Sequence, residues 1–295
     1  MQNSAHTIKY FLNYIRQNLE DSYPAQEARA ICHLLLENTL GMTPAVLYAS
    51  PEKHVEAAQE QQLVEAVAQL RQKRPIQQVL GKAEFYGLTM LVDEHVLIPR
   101  PETEELVAWV AKSCQPLASV GSLGNSALHM LDIGTGSGCI AIALAKNLPA
   151  AAVHAWDISE KALHVARQNA VRNGVQIHFE KMDILHVPQP RSQKYDVIVS
   201  NPPYVCESEK AQMHDNVLRY EPPLALFVRD DNPLVFYAAI AGFAQKALSD
   251  GGEVFVEINE KLGPETMEVF TRSGFSSVEL RRDINGKPRM ARAKR

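Results

Sequence analysis

Several features of familiar protein classes are missing from this chain of 295 residues. It has no uninterrupted apolar stretch long enough to cross a bilayer and no apolar block near its start, which argues against membrane insertion and export. Its four cysteines are scattered, without CxxC or Cys/His ligand spacing, so neither a disulfide framework nor a metal site is indicated. We therefore expect a cytoplasmic protein with free thiols and no bound metal.

The chain also lacks a strong excess of charge of either sign. Its formal net charge is −4 at pH 7, so the composition gives no reason to expect a nucleic-acid ligand. The C-terminal tail is a local exception, because Asp283 is its only acidic residue. Its basic residues are Arg281, Arg282, Lys287, Arg289, Arg292, Lys294 and Arg295. A solvated end of a sheet explains these charges better than a contact surface for an RNA-associated partner.

Apolar residues recur at helical intervals in the first quarter of the chain. The pattern predicts one helix from Thr7, a second from about Pro24 to Leu40, and a third that opens at Ser50-Pro51-Glu52. We predict a small helical domain at residues 1–74. Strand-like runs at residues 84–86, 90–92 and 96–98 then predict a linker with a β-hairpin at residues 75–100.

Strand-like and helix-like segments alternate through the remaining residues, 101–295, after a helix that starts at Pro101 and a loop at residues 116–126. Strands are predicted at residues 128–133, 153–156, 177–180, 195–199, 253–258, 276–280 and 288–291, with helices at 160–172, 233–248 and 263–272. This alternation predicts an α/β fold whose doubly wound sheet binds ligands beyond the carboxyl ends of its strands. Four residues fall at such ends: Gly134, Asp157, Asp183 and Asn201.

A glycine turn follows the first strand of this sheet, in Asp-Ile-Gly-Thr-Gly-Ser-Gly at residues 132–138. Glycines let the backbone lie close against a ligand, so the turn indicates a nucleoside cofactor. The dinucleotide fingerprint places a small residue where this chain has Cys139, which disfavours a nicotinamide cofactor. S-adenosylmethionine fits better, with Asp157 on the ribose hydroxyls and Asp183 near the adenine. Each carboxylate could instead cap the segment that follows it.

The fourth strand ends in Asn-Pro-Pro-Tyr, residues 201–204. Pro202 and Pro203 carry no N–H and keep the loop extended and rich in carbonyl acceptors. The side-chain oxygen of Asn201 and the aromatic face of Tyr204 complete a receptor for a flat NH2 group. A strand followed by an ordinary Pro-Pro turn is the structural alternative.

Together, the glycine turn and the Asn-Pro-Pro-Tyr segment resemble those of class I, S-adenosylmethionine-dependent methyltransferases that act on amide or exocyclic nitrogen. Residues 97–104 (Leu-Ile-Pro-Arg-Pro-Glu-Thr-Glu), the N-terminal helices and residues 281–290 are similar to the HemK/PrmC family, the release factor glutamine methyltransferases. The resemblance covers nearly the whole chain. It implies a class I methyltransferase Rossmann-like fold, with a doubly wound mixed sheet and a small N-terminal helical domain that recognises the substrate.

The resemblance also implies an activity and a set of site residues. The expected reaction is methylation of N5 of the glutamine in the Gly-Gly-Gln motif of class I peptide release factors, with S-adenosylhomocysteine as the second product. The implied cofactor-binding residues are Gly134, Thr135, Gly136, Ser137, Gly138, Asp157, Asp183, Ile184 and Asn201. The implied substrate-binding residues are Asn201, Pro202, Pro203 and Tyr204, of which Asn201, Pro202 and Tyr204 are expected to be catalytic. Relatives often carry an aromatic residue at the position of Ile184, which keeps an apolar contact with adenine but loses stacking.

Other targets and roles stay open on the sequence alone. A ribosomal protein could supply the glutamine, and a DNA adenine N6-methyltransferase shares the logic of the Asn-Pro-Pro-Tyr segment. The DNA enzyme must grip and flip a base, whereas the helical domain has near-balanced charge and no basic stripe. A binding module without catalysis would not need an amide receptor. We expect a monomer that acts on release factors and binds neither DNA nor membrane directly.

Overall fold

The computed structural model describes residues 6–121, 127–187 and 192–295. Its helices are α1 (Ile8–Leu19), α2 (Ala25–Leu40), α3 (Pro44–Ala49), α4 (Ala57–Arg71), α5 (Ile76–Leu80), α6 (Pro101–Gly121), α7 (Cys139–Asn147), α8 (Glu160–Arg172), α9 (Asp215–Tyr220), α10 (Val235–Ala247) and α11 (Gly263–Arg272). Its strands are β1 (Lys82–Phe85), β2 (Leu88–Leu91), β3 (His129–Ile133), β4 (Ala152–Asp157), β5 (His178–Lys181), β6 (Tyr195–Ser200), β7 (Val205–Cys206), β8 (Phe227–Val228), β9 (Leu248–Glu257), β10 (Ser277–Arg282) and β11 (Pro288–Lys294).

The chain divides into two compact units. The first contains the residues up to Gly81 together with His214–Tyr220, and the second contains Lys82–Met213 with Glu221–Arg295. The predicted domain limits, 1–74, 75–100 and 101–295, stay a prediction.

The first unit is helical, and its core is built from the apolar stripes of its helices. Phe11 and Ile15 of α1 are buried in one cluster with Leu35 of α2 and Val67 of α4. The second helix ends as predicted at Gly41, whose left-handed backbone (φ +64°) lets the chain leave the helix. The apolar faces of α1 and α2 are therefore accounted for by packing in this core.

The predicted start of the third helix at Ser50-Pro51-Glu52 is wrong. The helix α4 begins at Ala57 and is capped by Glu56. The segment before it pairs with the start of α1, since the carbonyl groups of Pro51 and Lys53 accept hydrogen bonds from backbone N–H groups there, at 2.9 and 3.0 Å. Residues 51 and 52 form a turn instead, closed by a hydrogen bond from the Lys53 N–H to the Ser50 carbonyl oxygen at 3.1 Å.

The strands β1 and β2 form the predicted hairpin, with Ala83 opposite Met90. Its turn has positive φ at Tyr86 and Gly87. The third strand-like run, residues 96–98, forms no strand. Short apolar runs are ambiguous because burial alone produces them, and both Val96 and Ile98 are buried in a small cluster.

The predicted loop at residues 116–126 is also partly wrong. Helix α6 continues to Gly121, and residues 122–126 lie outside the described part of the chain. A loop prediction from glycine and serine content is weak, because structural context often overrides helix propensity. Although α6 spans 21 residues, no helix among the described residues combines the length and apolar character that crossing a membrane requires.

The second unit is built on a sheet of seven strands in the order β10-β11-β9-β6-β3-β4-β5. Neighbours from β9 to β5 run parallel, and β11 is antiparallel to both β9 and β10. The sheet is doubly wound and mixed, as predicted. Successive residues of β3 face opposite clusters: Met130 packs with Val107 of α6, and Leu131 packs with Ile240 of α10.

Two arginines of the basic tail are paired with carboxylates within its own unit. Arg289 contacts Asp283 at 3.1 Å and Glu260 at 3.2 Å, and Arg292 pairs with Glu253. Because these guanidinium groups already hold carboxylates, the tail offers less positive charge than its sequence indicates. Whether the tail is only a solvated end of a sheet or also a contact surface for an RNA-associated partner stays a prediction.

A row of histidines crosses β3, β4 and β5. The ring centroids of His129 and His154 are 6.4 Å apart, and those of His154 and His178 are 5.2 Å apart. Burial, reinforced by the two neighbouring imidazoles, lowers the pKa of His154. The fold therefore favours the neutral form of this side chain.

We predict that His154 makes the protein less stable in mild acid. The unfolded chain takes up a proton at His154 near pH 6.5, whereas the folded chain resists it, so stability is lost as pH falls from that value. Urea unfolding at pH 7.5 and 5.5 should show a smaller loss in His154→Gln than in wild type. The exposed His164→Gln serves as the control, and an equal loss in wild type and His154→Gln would contradict the prediction.

Candidate active site

A cleft lies at the carboxyl ends of the parallel strands of the second unit. It encloses about 1250 Å³, part of it open to solvent. Its lining includes the following predicted site residues: Gly134, Thr135, Gly136, Ser137, Asp157, Asp183, Ile184, Asn201, Pro202 and Pro203. Gly138 and Tyr204 are not part of this lining. The topology therefore brings residues from four strand ends, distant in sequence, to one place.

The glycine turn after β3 is shaped by bonds to the neighbouring strand. The N–H groups of Gly134 and Thr135 both donate to the carbonyl oxygen of Trp156, at 2.8 and 2.9 Å. Gly134 and Gly136 have φ of +72° and +54°, and a Cβ added at either would meet no atom within 4 Å. Both residues line the cleft, so a side chain at these positions would occupy space that the turn leaves open.

The third glycine has a different environment. A Cβ at Gly138 would lie 3.1 Å from both Ala166 Cβ and Ile142 Cδ1. Packing between α7 and α8 thus accounts for this glycine, in addition to its positive φ of +83°. Its role in cofactor binding stays a prediction.

Asp132 supports the turn from inside the protein. Its Oδ2 accepts a hydrogen bond from the hydroxyl of Thr135 at 2.6 Å. The side chain is fully buried, and burial raises the pKa of Asp132 to about 7. Sequence reasoning included Asp132 in the motif but gave it no role, although a carboxylate inside an apolar strand is itself a signal.

Asp157 at the end of β4 joins the glycine turn to the next helix. Its Oδ2 accepts from the N–H of Gly136 and its Oδ1 from the N–H of Ser159, both at 2.8 Å. Burial raises the pKa of Asp157. Each carboxylate oxygen has a second acceptor site, so Asp157 could hold the turn and still accept hydrogen bonds from hydroxyl groups in the cleft.

Asp183 at the end of β5 caps the turn that follows it, which was the structural alternative for this residue. Its Oδ1 accepts from the N–H of Leu185 at 2.9 Å, and its Oδ2 lies 2.7 Å from His186 Nδ1. Asp183 and its neighbour Ile184 nevertheless line the cleft. A role for either residue at an adenine ring stays a prediction.

Asn201 follows β6 at the floor of the same cleft. Its Nδ2 donates to Thr103 Oγ1 at 3.1 Å. Because Nδ2 makes this contact, the acceptor oxygen Oδ1 of the amide is not bonded to Thr103. The two prolines after it line the cleft without contributing any backbone donor.

Tyr204 does not line the cleft, although an aromatic cover was predicted there. Its hydroxyl donates to Glu257 Oε1 at 2.9 Å, and its backbone carbonyl accepts from Asn259 Nδ2 at 3.0 Å. Burial raises the pKa of Tyr204 well above its usual value. The phenol is thus tied to a carboxylate in the protein interior, and its role toward a substrate stays a prediction.

Sequence reasoning assigned no role to the buried carboxylates Glu257 and Glu221. Glu257, at the end of β9, accepts from both Thr103 and Tyr204 and is 1% exposed. Arg100 pairs at 2.6 Å with the buried Glu221, which also accepts from the N–H of Ile98 at 3.1 Å. Carboxylates in buried segments were the available signal, but nothing local in the sequence indicates their partners.

Comparison with known proteins identifies the family. The model "PrmC N-terminal domain" matches residues 11–81, and the model "Methyltransferase small domain" matches residues 120–220. Release factor glutamine methyltransferase of Flavobacterium psychrophilum is 44% identical, over 96% of this chain and 97% of that protein. The protein of the same name from Bacteroides thetaiotaomicron is 42% identical, over 96% and 98% of the two chains. The chain belongs to the release factor glutamine methyltransferase family.

Family membership makes the protein a methyltransferase enzyme with a class I fold. A third relative of the family, from Streptococcus pneumoniae, is 44% identical over 75% of each chain. The match to the N-terminal model falls within the first, helical unit. The cleft of the second unit, with its glycine turn and its Asn-Pro-Pro-Tyr segment, is therefore the candidate active site of a family methyltransferase.

We predict that the glycines of the turn differ in what they do for stability. Gly136→Ala should lower the free energy of unfolding by about 1 kcal/mol, since it adds only backbone strain. Gly138→Ala should lower it by about 2 to 4 kcal/mol, because strain is joined by crowding against α8. Urea denaturation measures both, and each variant is the control for the other. Equal losses would contradict the packing role of Gly138.

Proposed function

We propose that this enzyme transfers the methyl group of S-adenosylmethionine to the side-chain nitrogen N5 of the glutamine in the Gly-Gly-Gln motif of class I peptide release factors. The observation that carries the proposal is the orientation of Asn201, whose Nδ2 is bonded to Thr103 while the residue lines the cleft. Its acceptor oxygen is then available for a carboxamide NH2 group. The names of the relatives support the release factor as the source of that glutamine.

The residues of the cleft fit S-adenosylmethionine. Gly134 and Gly136 leave open space where a Cβ would stand, as close contact with a ligand requires. Asp157 has acceptor capacity left for ribose hydroxyls, and Ile184 offers an apolar surface for adenine. When bound, this cofactor supplies an electrophilic methyl group.

The chain's own residues act by positioning. An amide nitrogen is a poor nucleophile because its lone pair is delocalised into the carbonyl group. Asn201 Oδ1 and the carbonyl oxygen of Pro202 accept hydrogen bonds from the two N–H groups of the substrate carboxamide. These bonds fix its nitrogen in line for methyl transfer and favour its pyramidal form. In well-aligned cases, orientation of this kind lowers the activation barrier by roughly 7 kcal/mol or more. The two acceptors also stabilise the positive charge that develops on nitrogen.

No strong base is needed in this account. The methylated amide nitrogen is very acidic, so water takes its proton. We propose that the enzyme acts as a monomer, without direct DNA binding, and the pairing of Arg289 and Arg292 with carboxylates supports the second point.

A substrate panel tests the proposed function. Labelled S-adenosylmethionine is incubated with the enzyme and, separately, with a class I release factor, a ribosomal protein and duplex DNA. We expect label in the release factor alone, and none when the glutamine of its Gly-Gly-Gln motif is changed to alanine. Label in the ribosomal protein or in DNA, but not in the release factor, would contradict the proposal.

We predict that Asn201→Ala separates binding from transfer. The variant should bind S-adenosylhomocysteine about as tightly as wild type, while kcat falls about 100-fold, as when one positioned group is removed from an active site. Calorimetry measures the first quantity and methyl transfer to the release factor the second. Turnover near the wild-type rate would remove Asn201 from the proposed role.

We also propose that the helical unit contacts the release factor. A chain lacking residues 1–74 should methylate a short Gly-Gly-Gln peptide at a rate close to that of the full-length enzyme. It should methylate the intact factor with a kcat/KM at least about 10-fold lower, since recognition outside the motif is lost. The peptide is the internal control for folding. Unchanged kcat/KM on the intact factor would refute the contact.

A further inference from the structure

The orientation of the Asn201 amide depends on a short chain of hydrogen bonds behind the cleft. Thr103 Oγ1 lies 2.6 Å from Glu257 Oε2, and Asn201 Nδ2 lies 3.1 Å from the same hydroxyl oxygen. Thr103 and Glu257 are both buried, with 2% and 1% of their surfaces exposed. The three groups therefore satisfy one another with little access of solvent.

The direction of each bond follows from what the groups can donate. An ionised carboxylate only accepts, so the single hydroxyl proton of Thr103 lies on its bond to Glu257. The hydroxyl oxygen can then only accept from Asn201. The NH2 end of the Asn201 amide must face Thr103, which turns Oδ1 away from it. A reversed amide would set two acceptors against each other in a buried place.

Glu257 is itself fixed from its other side. Its Oε1 accepts the hydroxyl proton of Tyr204 at 2.9 Å, so both carboxylate oxygens are held by donors. Burial raises the pKa of Glu257, and the hydrogen bonds from Thr103 and Tyr204, together with the charge of Arg289, oppose that rise. The tyrosine of the Asn-Pro-Pro-Tyr segment thus contributes to the same chain of bonds from the opposite end.

Thr103 is held in place by the start of α6. Its backbone N–H donates to the carbonyl oxygen of Arg100 at 3.1 Å, and the Arg100 side chain is bound to the buried Glu221. These two contacts therefore hold the first turn of α6, which carries the Thr103 hydroxyl group.

We propose that Thr103 is a positioning residue for methyl transfer: with Glu257, it sets the orientation of the Asn201 amide so that Oδ1 faces the substrate carboxamide. This inference rests on the proposed function of Asn201. It assigns a role to Thr103 of the segment 97–104, which neither the glycine turn nor the Asn-Pro-Pro-Tyr segment accounts for. Thr103 acts through Asn201 and does not touch the reacting atoms.

Kinetics of matched variants test the proposal. Thr103→Val keeps the shape but removes the hydroxyl, and we expect kcat to fall about 10- to 100-fold while affinity for S-adenosylhomocysteine stays unchanged. Thr103→Ser restores the hydroxyl and should recover kcat to within about 3-fold of wild type. Thr271→Val, at an exposed position of α11, is the control for the substitution itself. Wild-type kcat in Thr103→Val, or an equal loss in Thr103→Ser, would overturn the proposal.

A second measurement does not depend on catalysis. The side-chain 15N–1H2 signals of Asn201 are assigned by their loss in Asn201→Asp. Hydrogen exchange of these protons should be slow in wild type and Thr103→Ser, and fast in Thr103→Val. Equal exchange in all three would refute the hydrogen bond. If wild type transfers no methyl group to any release factor, the proposed function fails, and the exchange data still decide whether Thr103 orients Asn201.

Thermal unfolding separates positioning from folding. Thr103→Val leaves Glu257 Oε2 with one donor fewer, so some loss of stability is expected. If this variant proves unfolded at the assay temperature, Thr103→Ala and Thr103→Ser are compared at a lower temperature where both are folded. A kcat of Thr103→Ala equal to that of Thr103→Ser would then count against the proposal.

Discussion

The buried carboxylate of Glu257 is the constraint on which the candidate site depends. A carboxylate in the interior must be satisfied by donors, and here Thr103 and Tyr204 supply them. Once these two hydroxyl protons are committed, the remaining polar group, the amide of Asn201, has only one acceptable orientation. The need to satisfy the buried Glu257 carboxylate thus also determines the direction of the Asn201 Oδ1 lone pairs. Positioning of this kind, set before substrate arrives, is what transfer to a weak nucleophile requires.

The opposite side of the cleft is organised by the ends of β3 and β4. The Asp157 carboxylate holds the Gly136 N–H, and the carbonyl of Trp156 holds the start of the same turn. The glycine turn is therefore fixed by its neighbour strand and not by its own sequence alone. The helical unit matches a family model of its own and has a separate core.

Much of the fold could be predicted because its signals are local. The helices α8 and α11 begin and end at the predicted residues, and every predicted strand end that carries a site residue borders the cleft. The start of α4 could not be predicted, since the pairing of residues 51–55 with α1 competes with a good capping signal. The bond between Thr103 and Glu257 joins positions 154 residues apart, and no pattern in the chain indicates it. Tyr204 shows the same limit, because its identity is visible in the sequence but its direction is set by that distant carboxylate.

The central claim is that Asn201 presents its oxygen to a carboxamide beside the transferable methyl group, and a crystal structure with S-adenosylhomocysteine tests it most directly. The account predicts that the sulfur of the ligand lies no more than about 8 Å from Asn201 Oδ1, the reach of one hydrogen bond and one in-line methyl transfer. It also predicts that Nδ2 keeps its contact with Thr103. A sulfur atom bound farther away, or on the side of the glycine turn remote from Asn201, would contradict the account.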